Sequence, residues 1–132
     1  MPAKGAPRAE GRQASDAERS AMLKMLVRAG FLGALLVGLG AAFGLYADRG
    51  PVLWLHIALG LVFLVPAWLL STTSAPRRRL VQAGAGLGTL GALLVIGRYL
   101  FWPGVSFWYH VVLMVLAIAF VEMGNASREA RA

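Results

Sequence analysis

Polar stretches alternate along this chain with apolar runs long enough to cross a membrane. Residues 29–47 contain no charged side chain, and at 1.5 Å of rise per residue they nearly span about 30 Å of hydrocarbon. Further uncharged runs occupy residues 51–70, 80–97 and 105–121. Turn signals separate them. Asp48, Arg49, Gly50 and Pro51 place a helix-starting proline after a tight turn, and residues 71–76 form a short polar loop. Arg77, Arg78 and Arg79 open the third run, and Trp102, Pro103 and Gly104 precede the fourth. The pattern predicts helices over about 21–47, 51–71, 78–101 and 105–123, within a transmembrane domain of residues 21–124. Short connections force neighbouring spans antiparallel, so the expected fold is all-α, an integral membrane up-down four-helix bundle. Pro66 lies inside the second span and is expected to kink it. Residues 1–20, rich in Ala, Gly, Pro and Arg, read as a disordered tail, and residues 125–132 as a second polar tail. Residues 1–20 do not resemble a cleaved signal peptide.

Composition supports the membrane reading. The 132 residues are 58% hydrophobic and 14% charged, with mean hydropathy +0.67, too little polar surface for a soluble domain of this size. There is no cysteine, which excludes disulfides, thiolate metal sites and cysteine redox chemistry. The net charge of +7 could suggest nucleic acid, but the basic residues flank apolar spans, so no nucleic-acid partner is expected and anionic lipid headgroups are. Eleven Lys and Arg residues fall on the side of the two termini and the second loop, against Arg49 and Arg98 on the other. By the positive-inside rule both termini are cytoplasmic, in a multi-pass protein of the cell (inner) membrane.

Each span carries a stripe of helical period. In the second, His56, Gly60, Phe63 and Ala67 share a face; in the fourth, His110, Met114, Ala117 and Val121 do. The first offers Gly33, Val37, Gly40 and Gly44, the third Gly84, Gly88, Gly91, Val95 and Arg98. Small residues of this kind let membrane helices pack closely, and equally make room for a flat ligand. His56 and His110 enter their spans from the same side, at about 7 and 6 Å along the axis. On diagonal helices of a bundle they face one another at one level. Two readings stay open. An imidazole near the interface can simply bond headgroups, water or a backbone carbonyl, whereas a pair at equal depth inside a membrane points to a site. Two imidazoles are too few for zinc, but enough for the axial positions of a haem. Arg98, on the inward stripe, is either a snorkelling interface residue or a partner for haem propionates.

These positions resemble the membrane bundles of respiratory b-type cytochromes, over roughly residues 29–121. The resemblance implies His56 and His110 as the ligands of one haem b. It implies Gly40 or Gly44, and Gly91 or Gly97, as glycines packed on the porphyrin; the helical stripes add Gly60 and Arg98 to the same expected binding set. The chain departs from the large respiratory cytochromes in having no second histidine lower on either helix. A lone haem near one face cannot relay electrons across about 30 Å of hydrocarbon. The expected role is therefore that of an electron-transfer protein or subunit, linked to a quinone or to a membrane or extracytoplasmic redox partner. The aromatic residues Tyr46, Trp54, Tyr99, Phe101, Trp102 and Trp108 crowd that same face, as an interfacial belt or as a rim sheltering a ring-shaped ligand. The alternative is a non-catalytic accessory subunit that binds a larger complex, or a further copy of itself, through its glycine faces. No phosphate-binding glycine loop and no nucleophile–base pair points to another chemistry.

Overall fold

The computed structural model describes residues 6–72 and 77–126. Among these residues there are four helices and no strand: α1 (Ala6–Ala42), α2 (Arg49–Thr72), α3 (Arg78–Leu100) and α4 (Phe107–Ala126). All four are long and apolar enough to cross a membrane, as expected of an all-α four-helix membrane bundle. Their outer faces expose large apolar side chains such as Leu36, Trp54, Leu93 and Val112, a surface that suits lipid and not water.

Helix ends differ from the sequence expectation in two places, each with a local cause. Residues 6–20 are the first turns of α1 and not an irregular tail. They contain Ala6, Ala9, Ala14 and Ala17 among Arg, Glu and Gln, all strong helix formers, with Arg12 and Asp16 four residues apart. Extending a helix already fixed by the membrane span costs far less than nucleating one. At its other end α1 stops at Ala42, five residues before the expected boundary. Gly44 takes φ +70°, a left-handed conformation that favours glycine. Its N–H donates to the Ala41 carbonyl at 3.1 Å, and the Leu45 N–H donates to the Gly40 carbonyl at 2.9 Å, the paired closure of a Schellman motif. The Asp48 carboxylate then accepts the Gly50 N–H at 3.0 Å and caps α2, with Pro51 in its first turn. α2 runs through the buried Pro66 as one helix. The expected loop at 71–76 and tail at 125–132 begin later, because α2 runs to Thr72 and α4 to Ala126; residues 1–5, 73–76 and 127–132 lie outside the described residues.

α1 packs on α2, α3 on α4, and the two hairpins join along α2 and α3. Glycine permits the closest approaches. A Cβ at Gly30 would stand 2.5 Å from the Phe63 nitrogen, and one at Gly84 2.7 Å from the Ala117 carbonyl oxygen. Val27, Phe63, Ala67, Val81, Ala117 and Val121 form the centre of the sealed core. All belong to the half of the bundle near the α2–α3 connection, which also carries Lys24, Arg28 and the arginines at 77–79; this is the basic end. The opposite, aromatic end holds the α1–α2 and α3–α4 turns. There the first halves of α2 and α4, residues 49–62 and 107–116, bury no residue fully. Both histidines lie in this less tightly sealed half.

Candidate functional site: a histidine pair at the aromatic end

His56 stands in the second turn of α2 and leans onto α1. Its Nδ1–H donates to the Ala34 carbonyl at 3.0 Å. The ring rests against Gly38, where a Cβ would lie 3.1 Å from Cε1. Ala34 and Gly38, one turn apart, thus form a shelf of small residues for the imidazole. His110 opens α4 in the same way and leans onto α3, its Nδ1–H donating to the Gly91 carbonyl at 2.9 Å. A Cβ at Gly91 would meet Leu113 Cβ and Met114 Sδ, both at 3.2 Å, so glycine here sets the close α3–α4 approach that brings the carbonyl within reach.

A backbone carbonyl can only accept, so each Nδ1 carries a proton, and in the neutral ring the lone pair is then on Nε2. Among the described residues neither Nε2 has a hydrogen-bond partner. The two half-buried rings are 6.2 Å apart centre to centre, with their planes at 69°. Rings at this separation are close enough that both would be able to hold one bound group between them. Anchoring the second ring nitrogen on a carbonyl is what histidine ligands of metals generally do.

The other expected site residues have different neighbours. The Arg98 guanidinium donates from Nη1 to the Val105 carbonyl and so ties the end of α3 to the turn before α4. Gly40 lies beneath the Tyr46 ring, where a Cβ would come within 2.7 Å of its hydroxyl. Gly97 lies beneath Trp102 at 3.0 Å. Gly44 is the terminator of α1. Gly60, one turn beyond His56, faces open space with nothing within 4 Å. The structure therefore brings together His56, His110 and Gly91, with Gly60 alongside, while Arg98, Gly40, Gly44 and Gly97 build the turns at the aromatic end.

Ala34 and Gly38 were not anticipated; their spacing of four small residues was the available signal, one residue out of step with the Gly33 and Val37 stripe. Two further polar links were also unanticipated. The Trp68 indole N–H donates to Thr89 Oγ1 at 3.0 Å, joining α2 to α3, and the Thr89 hydroxyl in turn donates a hydrogen bond to the Ala85 carbonyl at 2.9 Å. Arg28 grips Glu122 with both nitrogens, Nε and Nη2, at 2.8 and 2.9 Å, joining α1 to α4 at the basic end.

Among the described residues no three or more His, Cys, Asp or Glu side chains cluster. Among the described residues, a metal ion needing three such side chains has no place to sit. The donor set suits a group that brings its own remaining ligands. No protein family, curated protein or solved structure matches this chain.

Proposed function

We propose that the chain is a membrane haem b protein that transfers electrons at the aromatic end of its bundle, with His56 and His110 as axial ligands. The observation that carries this reading is the matched state of the two rings. They lie 6.2 Å apart, each anchored through Nδ1 to a backbone carbonyl of a flanking helix, each with an unshared Nε2. A haem bound there supplies a one-electron couple between ferrous and ferric iron. The chain's own residues do the rest. The carbonyls of Ala34 and Gly91 hold the imidazoles in the ligating tautomer and raise the basicity of Nε2. Gly38 leaves room for the His56 ring to lie against α1. The sealed core below, around Phe63 and Ala117, keeps water and ions from the basic end away from the histidine level. With one site near one face, electrons enter and leave at the aromatic end, through a quinone in the membrane or a redox protein outside it. The positive-inside bias makes that the extracytoplasmic side of the inner membrane.

The accessory-subunit alternative is less well supported. The glycine faces it would offer are consumed inside the chain: Gly30 on Phe63, Gly84 on Ala117, Gly91 on Leu113 and Met114.

The test is spectroscopic. Protein purified in detergent from cells with ample haem supply should show a Soret band that shifts on reduction. His56→Ala and His110→Ala should each abolish it while retaining helical circular dichroism. A colourless wild-type preparation overturns the reading.

A further inference from the structure

At the opposite end of the bundle, two cavities meet at a pair of cations. One, of about 260 Å³, is bounded by Lys24, Arg28, Glu122, Met123 and Asn125. The other, of about 610 Å³, runs along α1 past Ser20, Lys24 and Arg28 to Met25, Ala29 and Leu32. They share Lys24 and Arg28 as lining residues; the larger is an open groove lined by α1 alone.

Their chemistry divides. The smaller cavity is the more polar of the two, and Asn125 on its wall is 6% exposed. Its carboxamide has no hydrogen-bond partner among the described residues. A buried amide left unpaired is costly, so one at a cavity wall indicates a group to be bound. The Arg28–Glu122 pair cancels its own charge. Lys24 has no ion-pair partner among the described residues and leaves the cavity net positive. Asn125 offers both a donor and an acceptor, and the last carbonyls of α4 beside it are further acceptors. The complement is an anion that also carries hydroxyl donors. The larger cavity turns apolar away from Lys24, and eight residues of α1 carry its wall about 12 Å toward the membrane interior. That direction and lining suit an acyl chain.

We infer that this cleft is a binding site for one anionic glycerophospholipid of the phosphatidylglycerol type. Its phosphodiester is held by Lys24, its headgroup hydroxyls by Asn125, and one acyl chain lies along Met25, Ala29 and Leu32. The start of α3 is close by, since a Cβ at Gly124 would lie 3.2 Å from the Arg77 carbonyl oxygen. The arginines at 77–79 thus raise the local concentration of anionic lipid without lining the cleft.

The site is independent of the histidine pair and is tested separately. The full chain, delipidated in detergent, is titrated with dioleoylphosphatidylglycerol, dioleoylphosphatidylethanolamine, dioleoylphosphatidylcholine or inorganic phosphate, and adducts are counted by native mass spectrometry. Phosphatidylglycerol should give a one-to-one adduct that the two zwitterionic lipids do not. Lys24→Gln should weaken it about tenfold, the loss of one charge-assisted bond, and Lys24→Arg should retain it. Asn125→Leu should weaken it while helical circular dichroism is unchanged; if that variant unfolds, Lys24→Gln carries the test alone. Equal binding of any of the three lipids overturns the proposal, as does an adduct indifferent to Lys24. So does competition by millimolar inorganic phosphate, which would mark a free-anion site in place of a lipid site.

Discussion

His56 and His110 share one anchor, an Nδ1–H on a backbone carbonyl, and His56 has a second constraint besides. His56 rests on a residue with no side chain, so Gly38 decides where the ring can lie. A Cβ at 3.1 Å from Cε1 asks the ring to give by a few tenths of an ångström, which an imidazole on a single χ1 bond can do. The branched methyls of valine cannot be accommodated in this way. Gly38→Val should therefore push His56 off the Ala34 carbonyl and leave His110 on the Gly91 carbonyl. Nitrogen-15 spectra of histidine-labelled protein check this without any bound cofactor. Wild-type protein should show both rings protonated at Nδ1, Gly38→Ala should keep that pattern, and Gly38→Val should lose it for one ring alone. A wild-type ring protonated at Nε2 instead would contradict the anchoring. The same variant should weaken haem retention far more than Gly38→Ala does, because Gly38 acts through the ligand it positions.

At the scale of the helices, the sequence announced much and concealed one kind of fact. Charge-free runs, the proline at 51 and the Trp-Pro-Gly turn placed the second, third and fourth helices within a few residues. Gly44 stops α1 early because a left-handed residue closes its carbonyls, something an apolar run of 29–47 cannot reveal when every residue in it tolerates a membrane. The two histidines were legible because polar groups stand out in apolar spans. Their anchors were not, because a backbone carbonyl has no letter in the sequence. Helical stripes also do not resolve neighbouring residues on one face: Gly33 meets Leu59 of α2, while Ala34 and Gly38 meet His56 of the same helix. The glycines nonetheless fall into two physical groups that mutation separates. Gly30 meets backbone of α2 at 2.5 Å, so Gly30→Ala forces the hairpin apart and should cost about 1–3 kcal/mol or more. Gly60 has nothing within 4 Å, and Gly60→Ala should leave stability unchanged or raise it by up to about 1 kcal/mol through helix propensity. Thermal unfolding of the two variants in one detergent tests the ordering; a loss at Gly60 comparable to that at Gly30 would show that the contact surfaces are misassigned.

For the whole molecule, the two ends of the bundle differ in packing, charge and proposed task. The basic end is closed by the Val27, Phe63, Ala67 and Val121 core and clasped by Arg28 on Glu122. The aromatic end is less tightly sealed and carries the histidines, with Tyr99, Trp102, Trp108 and Tyr109 exposed around it. This polarity gives the electron-transfer reading a direction only if the bundle sits one way in the membrane. Eleven cations against two favour the basic end inside the cell, and each cation placed on the wrong side would forgo attraction to anionic cytoplasmic lipid of about 1 kcal/mol. The absence of native cysteine makes the orientation directly measurable. Ser15→Cys places a thiol on the exposed first turns of α1, and Ala47→Cys places one in the exposed turn before α2. In intact cells, a membrane-impermeant maleimide should label Ala47→Cys and should reach Ser15→Cys only after permeabilisation. The reverse pattern would put the histidine pair on the cytoplasmic side. Its redox partner would then have to be sought among cytoplasmic proteins, and the lipid cleft would face the outer leaflet. Equal labelling of both sites in intact cells would mean a mixed orientation and would overturn the expectation drawn from the charge asymmetry.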